Sequence, residues 1–463
     1  MDIRIQIIIE QDETSSTHTV AHFQRDDLQS APLGMTLAES KALLAELQAI
    51  IATHQVADFN EQQRHCPDCG TPRRKKDTKR LIYRTVFGKL ELESPRYYTC
   101  DCQLRTHKSE SPLAAYLDER TSPELLYLQT KWAALMSYGL TANLLNDVLP
   151  LDLCQSSIQH QVHQIAQRME DELEPEQHFY ITGTPADIAD LPQPAGRLAV
   201  GIDGGYLRAR DATNRKAGWF EVIVGKSITS ERTNRCFGFV TTYDDKSKRR
   251  LNTMLLEQGF QLNQNITFFS DGGDNVRELQ LYLSPHAEHV LDWFHITMRI
   301  TQLRQKVKGL PSLAHDFLDP DQIDRDLESI KWYLWHGNVT VALERINFLF
   351  TDLEEFGDEQ PKWRKLCHAV SEFLTYIRNN QVYIPNYGER HHYGEYISTG
   401  FVESAVNQII SKRFVKKQQM RWTKRGAHLL IQVRTQVLDE QLLSVFQRWY
   451  PNMLDGENQQ SVA

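Results

Sequence analysis

The sequence contains no run of about 18 apolar residues, which is the length that a membrane-spanning helix requires. The N-terminus, MDIRIQIIIEQDE, alternates like a β-strand and ends in acidic residues. It lacks the basic start, the apolar stretch and the small-residue cleavage site of a signal peptide. These absences predict a cytoplasmic protein with no membrane partner.

Glycine and proline are also scarce, at 23 and 17 of 463 residues, which excludes a collagen-like chain. Hydrophobic residues make up 41% and charged residues 24% of the chain, a composition that excludes a wholly disordered protein. At roughly 150 residues per domain, the length predicts about three globular domains.

The chain has no overall excess of positive charge, because its net charge at pH 7 is -8. A purely electrostatic nucleic-acid binder is therefore excluded, and any contact with nucleic acid must come from local basic patches. One patch is RRKKDTKR at residues 73–80, and the other lies within residues 404–438, which contain no acidic residue. The candidate nucleic-acid-binding residues in these patches are Arg73, Arg74, Lys75, Lys76, Lys412, Arg413, Lys416, Lys417 and Arg421.

Four of the seven cysteines form two close pairs, Cys66 with Cys69 in HCPDCG and Cys100 with Cys102 in TCDC. A tetrahedral zinc ion needs four soft ligands from two tight turns, and the β-type residues between the pairs predict the hairpin that brings them together. We therefore predict a structural zinc ribbon over residues 61–110. The alternative is a set of reduced surface thiols.

Residues 1–60 predict a strand and an amphipathic helix from Thr36 to Thr53, with no readable function. Residues 111–173 predict three helices, of which the last has apolar residues at helical spacing and a polar opposite face. This order is typical of a helix-turn-helix-like DNA-binding domain. Its last helix would read base edges through Gln159, His163 and Arg168. An ordinary three-helix bundle is the alternative.

Residues 174–196, rich in Pro, Ala, Thr and acidic residues, predict a linker. After it the pattern predicts the element order β-β-β-α-β-α-β over residues 197–296. Asp203 closes the first of these strands and Asp271 the fourth, so we expect both carboxylates at the carboxyl ends of neighbouring strands. Glu403, in the first turn of a later helix, is the third candidate ligand.

Such carboxylates are hard oxygen ligands that can hold two Mg²⁺ ions roughly 3.5 to 4 Å apart for phosphoryl transfer. Each also has a structural interpretation. Asp203 and Asp271 could simply end strands in glycine-rich turns, and Glu403 could complement a helix dipole.

Taken together, these motifs resemble the DDE-type transposases of prokaryotic insertion sequences, in a group with an N-terminal zinc ribbon and a core related to Mutator-like and hAT-like transposases. The resemblance extends from about Cys66 to Leu438. The motifs that carry it are GIDGG at Asp203, SDGGDN at Asp271, DWFH at residues 292–295, TGFVES at Glu403, and residues 420–434.

The resemblance implies an α/β multidomain fold with a ribonuclease-H-like mixed-sheet catalytic core. The core would comprise residues 197–296 and 396–450, separated by an all-helical insertion at residues 297–395 and followed by a flexible tail at residues 451–463. A zinc ribbon and the helix-turn-helix-like domain would precede it.

The resemblance further implies that Asp203, Asp271 and Glu403 are catalytic ligands of two Mg²⁺ or Mn²⁺ ions, with Asp292 and His295 beside them. Asp292 and His295 could instead be a strand-end carboxylate and a core histidine. Trp293 could stack on an unpaired base or pack in the core.

The implied activity is cleavage and transfer of DNA strands by a nucleoid-associated transposase. Its partners would be double-stranded DNA, as terminal inverted repeats and as target, and further copies of the chain when bound to DNA. Two alternatives are a non-catalytic, zinc-containing, sequence-specific DNA-binding protein and a structure-selective nuclease with the same core.

Overall fold

The computed structural model divides into two compact units, Met1–Ala166 with Glu440–Ala463, and Gln167–Asp439. Both helices and sheets are present, so the predicted mixed α/β, multidomain character is confirmed. The structure describes residues 1–11, 14–25, 33–102, 108–174, 196–210, 218–229, 234–261, 263–273, 277–280, 287–310, 319–356, 360–415 and 420–453.

Some of the sequence predictions lie outside the described residues: nearly all of the linker, Lys416, Lys417 and most of the C-terminal tail. Among the described helices, none combines the length and the apolar character needed to cross a lipid bilayer.

The first unit opens with an antiparallel hairpin of strands β1 (Asp2–Gln11) and β2 (Thr14–Gln24), followed by helix α1 (Leu37–Gln62). Thr36 and Glu39 cap α1 reciprocally in a capping box. The prediction of a single strand here was wrong. The second strand was not predicted, because β2 is rich in Ser, Thr and His and shows little alternation of apolar and polar residues. Helix α1 also extends beyond its predicted end.

A three-stranded antiparallel sheet follows, made by β3 (Lys75–Thr85), β4 (Gly88–Tyr98) and β5 (Ser109–Glu110) in that order. Its β3–β4 hairpin is the strand pair that the sequence predicts between the two cysteine pairs. Alternate residues of the hairpin, together with Ala52 of α1, form a small apolar core.

The rest of the first unit is helical. Its elements are α2 (Pro112–Tyr116), α3 (Pro123–Leu135), α4 (Tyr138–Val148), most of α5 (Gln155–Glu172) and a C-terminal helix, Leu442–Trp449. The C-terminal helix was expected to continue the catalytic core. In the structure Phe446 instead packs edge-to-face on Tyr127 of α3, with 5.5 Å between ring centroids.

The second unit is built on a five-stranded mixed sheet with the spatial order β10-β9-β6-β7-β8. Strands β6 to β8 are antiparallel neighbours, whereas β9 runs parallel to β6 and β10 parallel to β9. The strands are β6 (Leu198–Arg208), β7 (Trp219–Thr229), β8 (Arg235–Val240), β9 (Ile266–Ser270) and β10 (Glu288–Leu291).

The sheet buries both faces because alternate residues of each strand point to opposite sides. Val200 and Ile202 pack with Leu251 and Leu255 of helix α6 (Ser247–Glu257) on one face. On the other face, Ala199 joins the core of a helical region. Asp203 is four residues after Ala199 on the same strand, so its side chain lies on the same face of the sheet as Ala199, the face covered by the helical region.

That helical region lies between β10 and the segment carrying Glu403, where the sequence predicts an all-helical insertion. Its large, fully buried side chains include Trp363 and Tyr387. The helices are α7 (Trp293–Lys308), α8 (Pro320–Trp335), α9 (Val339–Phe356), α10 (Pro361–Asn380), a 3-10 turn (Gln381–Tyr383) and α11 (Tyr387–His392).

The unit ends with helix α12 (Gly400–Val406), which continues as a π-helix (Asn407–Val415), and with helix α13 (Lys424–Leu438). The buried Arg434 of α13 donates from Nε to the carbonyl oxygens of Gln408 and Ile409, each at 3.0 Å. A π-helix is a rare geometry, and here a buried guanidinium supplies partners for its carbonyl groups.

Helix α12 and the π-helix lie directly against β6, and two glycines allow this approach. A Cβ atom at Gly201 would collide with the Val402 side chain, and one at Gly205 would lie 2.7 Å from Ile410 Cδ1. Asp203 lies between these glycines on the same face of the strand. The close approach therefore brings the helix that carries Glu403 against the strand that carries Asp203.

We predict that Gly201→Ala lowers the free energy of unfolding by about 1–3 kcal/mol, because the added methyl overpacks the strand–helix contact. Gly204→Ala is the matched control, since its Cβ would lie 3.6 Å from its nearest neighbour, in ordinary contact. Urea denaturation measures both. Equal losses in the two variants would show that the close approach does not constrain the strand.

Candidate functional site

The four predicted zinc ligands lie together in the structure. Cys66 Sγ is 3.5 Å from Cys102 Sγ, and Cys69 Sγ is 3.5 Å from Cys100 Sγ. All four sulfur atoms lie within 4.8 Å of one another. Tetrahedral zinc with Zn–S bonds of about 2.3 Å separates its sulfur ligands by about 3.8 Å, so the spacing fits one zinc ion.

The chemistry of this cluster also fits zinc. None of the four cysteines is in a disulfide. The Thr71 hydroxyl, 3.3 Å from Cys69 Sγ, and the Thr71 backbone lower the pKa of Cys69 to about 6. Within the same cluster, hydrogen bonds with the other cysteines raise the pKa of Cys102. Zinc binds thiolates, so its binding would release the protons that the thiols of the cluster hold.

Asp203 and Asp271 extend from adjacent strands. Strands β6 and β9 pair in parallel, with Gly201 opposite Phe269, and the two aspartates come two residues further along each strand. Asp203 is half-buried, and its Oδ1 accepts a 2.7 Å hydrogen bond from the Gly204 amide. The two aspartates are level on neighbouring strands, as expected, but the prediction that Asp203 closes its strand was wrong, because β6 continues to Arg208 through its pairing with β7. Only Asp271 follows the end of its strand.

Asp271 is exposed at the start of a tight turn, where its Oδ1 accepts a 3.1 Å hydrogen bond from the Gly273 amide. The intervening Gly272 has a φ of +91°. A Cβ atom there would also collide with the Asn380 side chain. Only glycine satisfies both constraints, so this turn holds Asp271 just beyond the end of β9.

Asp292 is fully buried and caps α7, accepting from the Phe294 amide at 2.9 Å. It also accepts from His295 Nδ1 at 2.8 Å, from the Thr399 amide at 3.0 Å and from the Thr399 hydroxyl. Its own amide donates to the Ser270 carbonyl at 2.9 Å. Asp292 thus holds three segments together and has no exposed surface with which to meet a substrate, so it is a positioning residue.

His295 is linked electrostatically to all three aspartates. Burial acts to lower the pKa of His295, but the hydrogen bond to Asp292 and the negative charges of Asp292, Asp203 and Asp271 raise it above its ordinary value. For Asp203, burial raises the pKa, and Asp271 and Asp292 add to the rise, while His295 and the Gly204 amide oppose it. These four side chains form one interacting group.

Glu403 lies in the first turn of α12, and its amide donates to the Thr399 carbonyl at 3.0 Å. The position of this turn depends on Asp292, which binds both the amide and the hydroxyl of Thr399. The Glu403 side chain is exposed. The fold therefore brings the backbone of Glu403 to the helical face of the sheet on which Asp203 lies.

The spacing of the three carboxylates limits what they can bind. Among the described residues, only two groups of three or more potential ligands lie within 4.8 Å of one another, and Asp203, Asp271 and Glu403 are not one of them. One ion with ligands at about 2.1 Å spans about 4.2 Å between oxygens, whereas two ions roughly 4 Å apart span about 8 Å. All three residues together cannot ligate one ion in this conformation.

The other close group, Glu170, Asp244 and His428, has no signal in the sequence because its members are far apart along the chain. Arg250 lies among them, with Nη1 2.9 Å from Glu170 Oε1 and Nε 3.0 Å from Asp244 Oδ2. Burial acts to raise the pKa of Glu170, but His428 and Arg250 lower it to about 2. Because the guanidinium already supplies the positive charge, this group is a buried ion-pair network.

Three predicted nucleic-acid contacts are corrected, because those side chains are used inside the protein. Arg73 is buried, binds Glu110 and lies over the Tyr97 ring. Arg413 is buried against the Trp422 ring. Trp293 packs against Trp335 and Tyr387, at 5.0 and 4.8 Å between ring centroids, in an aromatic cluster of the helical region.

The remaining predicted contacts differ in exposure. His163 is half-buried, with its ring 6.5 Å from the Tyr138 ring and its Nε2 buried, so its predicted outward orientation was wrong. Arg168 is half-buried. The exposed members of the predicted set are Gln159, Arg74, Lys75, Lys76, Lys412 and Arg421.

Comparison with known proteins adds no assignment: no protein-family model and no curated protein matches this chain.

We predict that the purified protein binds about one zinc ion per chain and that Cys66→Ser loses it, because three thiolates cannot close a tetrahedral site. Cys154→Ser, which replaces an exposed cysteine outside the cluster, is the control and should retain the metal. Atomic absorption measures the stoichiometry. Equal zinc contents in both variants would contradict the assignment.

We predict that Asp292→Asn lowers the free energy of unfolding by about 1–3 kcal/mol. Both carboxylate oxygens of Asp292 accept hydrogen bonds, and in the variant an amide NH₂ group, which is itself a donor, would replace one of these oxygens. The variant should also lower the pKa of His295, measured by NMR titration. The raised pKa of His295 stabilises the wild type below about pH 6.5, and this contribution disappears as the pH rises through the raised value. An unchanged His295 titration would contradict this pairing.

Proposed function

We propose that this protein is a DNA transposase of the DDE type that cleaves DNA strands and transfers them to target DNA. The observation that carries the proposal is the arrangement around Asp292. Asp203 lies within β6, Asp271 follows the adjacent strand β9 at the same level, and Asp292 connects this part of the sheet to the cap of the Glu403 helix through Ser270 and Thr399.

The sheet order supports a ribonuclease-H-like core as part of this proposal. Three antiparallel strands, β6 to β8, are joined on the other side of β6 by two parallel strands, β9 and β10. The first aspartate lies on the central strand and the second follows its parallel neighbour.

The long helical region between Asp271 and Glu403 favours transposition over the nuclease alternative. A structure-selective nuclease with the same core needs the carboxylates but no large insertion. The non-catalytic alternative needs neither the carboxylates nor their shared edge. The DNA products of the nicking assay described below distinguish both alternatives from the proposal.

The donor set fits Mg²⁺, since it consists of carboxylate oxygens, one half-buried and two exposed. Asp203, Asp271 and Glu403 would hold the ions, which when bound lower the pKa of an attacking oxygen and neutralise charge on the leaving one. Protein groups keep these carboxylates in place: the Gly204 and Gly273 amides orient the two aspartates, and Asp292 fixes His295 beside them.

The first unit would recognise DNA ends, with phosphate contacts giving affinity and helix α5 giving sequence choice. The exposed basic residues of β3 and the exposed Gln159 of α5 are the groups available for this. Joining two ends in one reaction requires two active sites, so we propose an assembly of several copies on DNA.

We predict that Asp203→Asn, Asp271→Asn and Glu403→Gln each reduce Mg²⁺-dependent nicking at least about a hundredfold, the loss expected when several kcal/mol of metal-based stabilisation is removed. The substrate is a plasmid that carries the DNA flanking the coding sequence on both sides. Binding of that DNA should persist, because the carboxylates give it no affinity. Asp245→Asn, an exposed acid of the same unit, is the control.

The products decide between the candidate functions. Nicked and joined products from the wild type support the transposase, nicking without joining supports the nuclease, and binding without nicking supports the DNA-binding protein. Full activity in any of the three carboxylate variants removes that residue from the site.

A further inference from the structure

The helical region contains an open groove of about 840 Å³ between α7 and α10, and the carboxylate site does not use it. Arg299, Gln302 and Lys306 line one wall, and the other wall is provided by α10. The residues that α10 contributes are Pro361, Arg364, Lys365, His368, Ala369, Glu372 and Phe373.

The groove has a strong excess of positive charge. Two arginines and two lysines line it, against the single carboxylate of Glu372, which lies 3.5 Å from His368 Nε2. Arg299 is placed over the Tyr376 ring, with its guanidinium carbon 4.1 Å from the ring centroid. The ligand that this charge favours is an extended polyanion.

Apolar atoms lie among the charges: Leu303, Ala369 and Phe373 line the same groove. A basic groove with apolar and aromatic surface matches the backbone and bases of a nucleic-acid strand, because phosphates pair with the cations while sugars and bases cover the apolar surface.

The groove side of α7 is also the side that carries His295 of the carboxylate site. His295 precedes the groove residues Arg299, Gln302 and Lys306, and the intervals of four, three and four residues place all of them on one face of the helix. The C-terminal end of α10 also reaches the site, because the Asn380 side chain lies against Gly272, next to Asp271. A strand in the groove would therefore lead to the carboxylates.

We infer that this groove binds the sugar–phosphate backbone of one DNA strand on its way to or from the carboxylate site, an inference that rests on the proposed function. Arg299 and Lys306 are two helical turns apart, about 10 Å, which matches the rise of about three stacked nucleotides.

The test uses the full-length protein without added Mg²⁺, so that binding is measured apart from cleavage. The probe is a fluorescein-labelled single-stranded oligonucleotide, and its affinity is measured by anisotropy over a range of salt concentrations. Each phosphate contact contributes about 0.7 to the slope of log affinity against log salt for a single strand. Lys306→Gln with Lys365→Gln should therefore lower the slope by about 1.4.

The matched control is Arg325→Gln with Arg345→Gln. It also removes two charges from the helical region, on α8 and α9, but outside the groove. The inference requires an unchanged slope for this control. An unchanged slope for the groove variant, equal losses in both variants, or a loss seen only with duplex DNA overturns it. Displacement of the oligonucleotide by polyglutamate at equal charge would instead indicate an acidic peptide.

The nicking assay separates this inference from the proposed function. If the wild type nicks DNA while the groove variant keeps its salt slope, the groove assignment fails and the proposed function stands. If the slope falls as expected but the wild type does not nick, strand binding stands and the catalytic proposal fails.

Discussion

The second unit depends on one buried carboxylate. Asp292 offers about four acceptor positions, and donors from β10–α7 and from Thr399 occupy them. Hydrogen bonds to a charged group contribute about 1.5–3 kcal/mol each, and leaving such donors unsatisfied inside the protein is costly. The cap of the Glu403 helix, the tautomer of His295 and the end of β9 are consequently set by a single side chain that never reaches solvent.

Much of this arrangement could be predicted from the sequence, because local patterns determine it. The cysteine spacing, the strand that ends just before Asp271 and the helix that starts after Thr399 follow from short-range signals. The continuation of β6 beyond Asp203 to Arg208 was not predicted, because it depends on pairing with β7. The role of Asp292 could not be predicted, since its partner Thr399 is 107 residues away. The π-helix could not be predicted either. Its carbonyl groups receive hydrogen bonds from Arg434, which lies on a later helix and gives no local signal in the sequence.

The basic residues illustrate the same limit. In the sequence, Arg73, Arg413 and Arg434 look like their exposed neighbours, yet all three are buried. Arginine can enter a core when its planar guanidinium meets carbonyl groups, a carboxylate or an aromatic ring. A run of basic residues in the sequence therefore overestimates the number of basic side chains on the surface. The basic residues of the groove between α7 and α10, in contrast, come from two separate helices and form no single run in the sequence.

The pairing of Asp292 with Thr399 has a consequence for how the chain can vary. It closes the helical region at its base, so both ends of that region meet at one point whatever lies between them. The entropy of closing a loop grows only with the logarithm of its length, by about 0.6 kcal/mol per doubling. Helices could therefore be gained or lost there without disturbing the carboxylates, which makes this region the part of the chain freest to change in size.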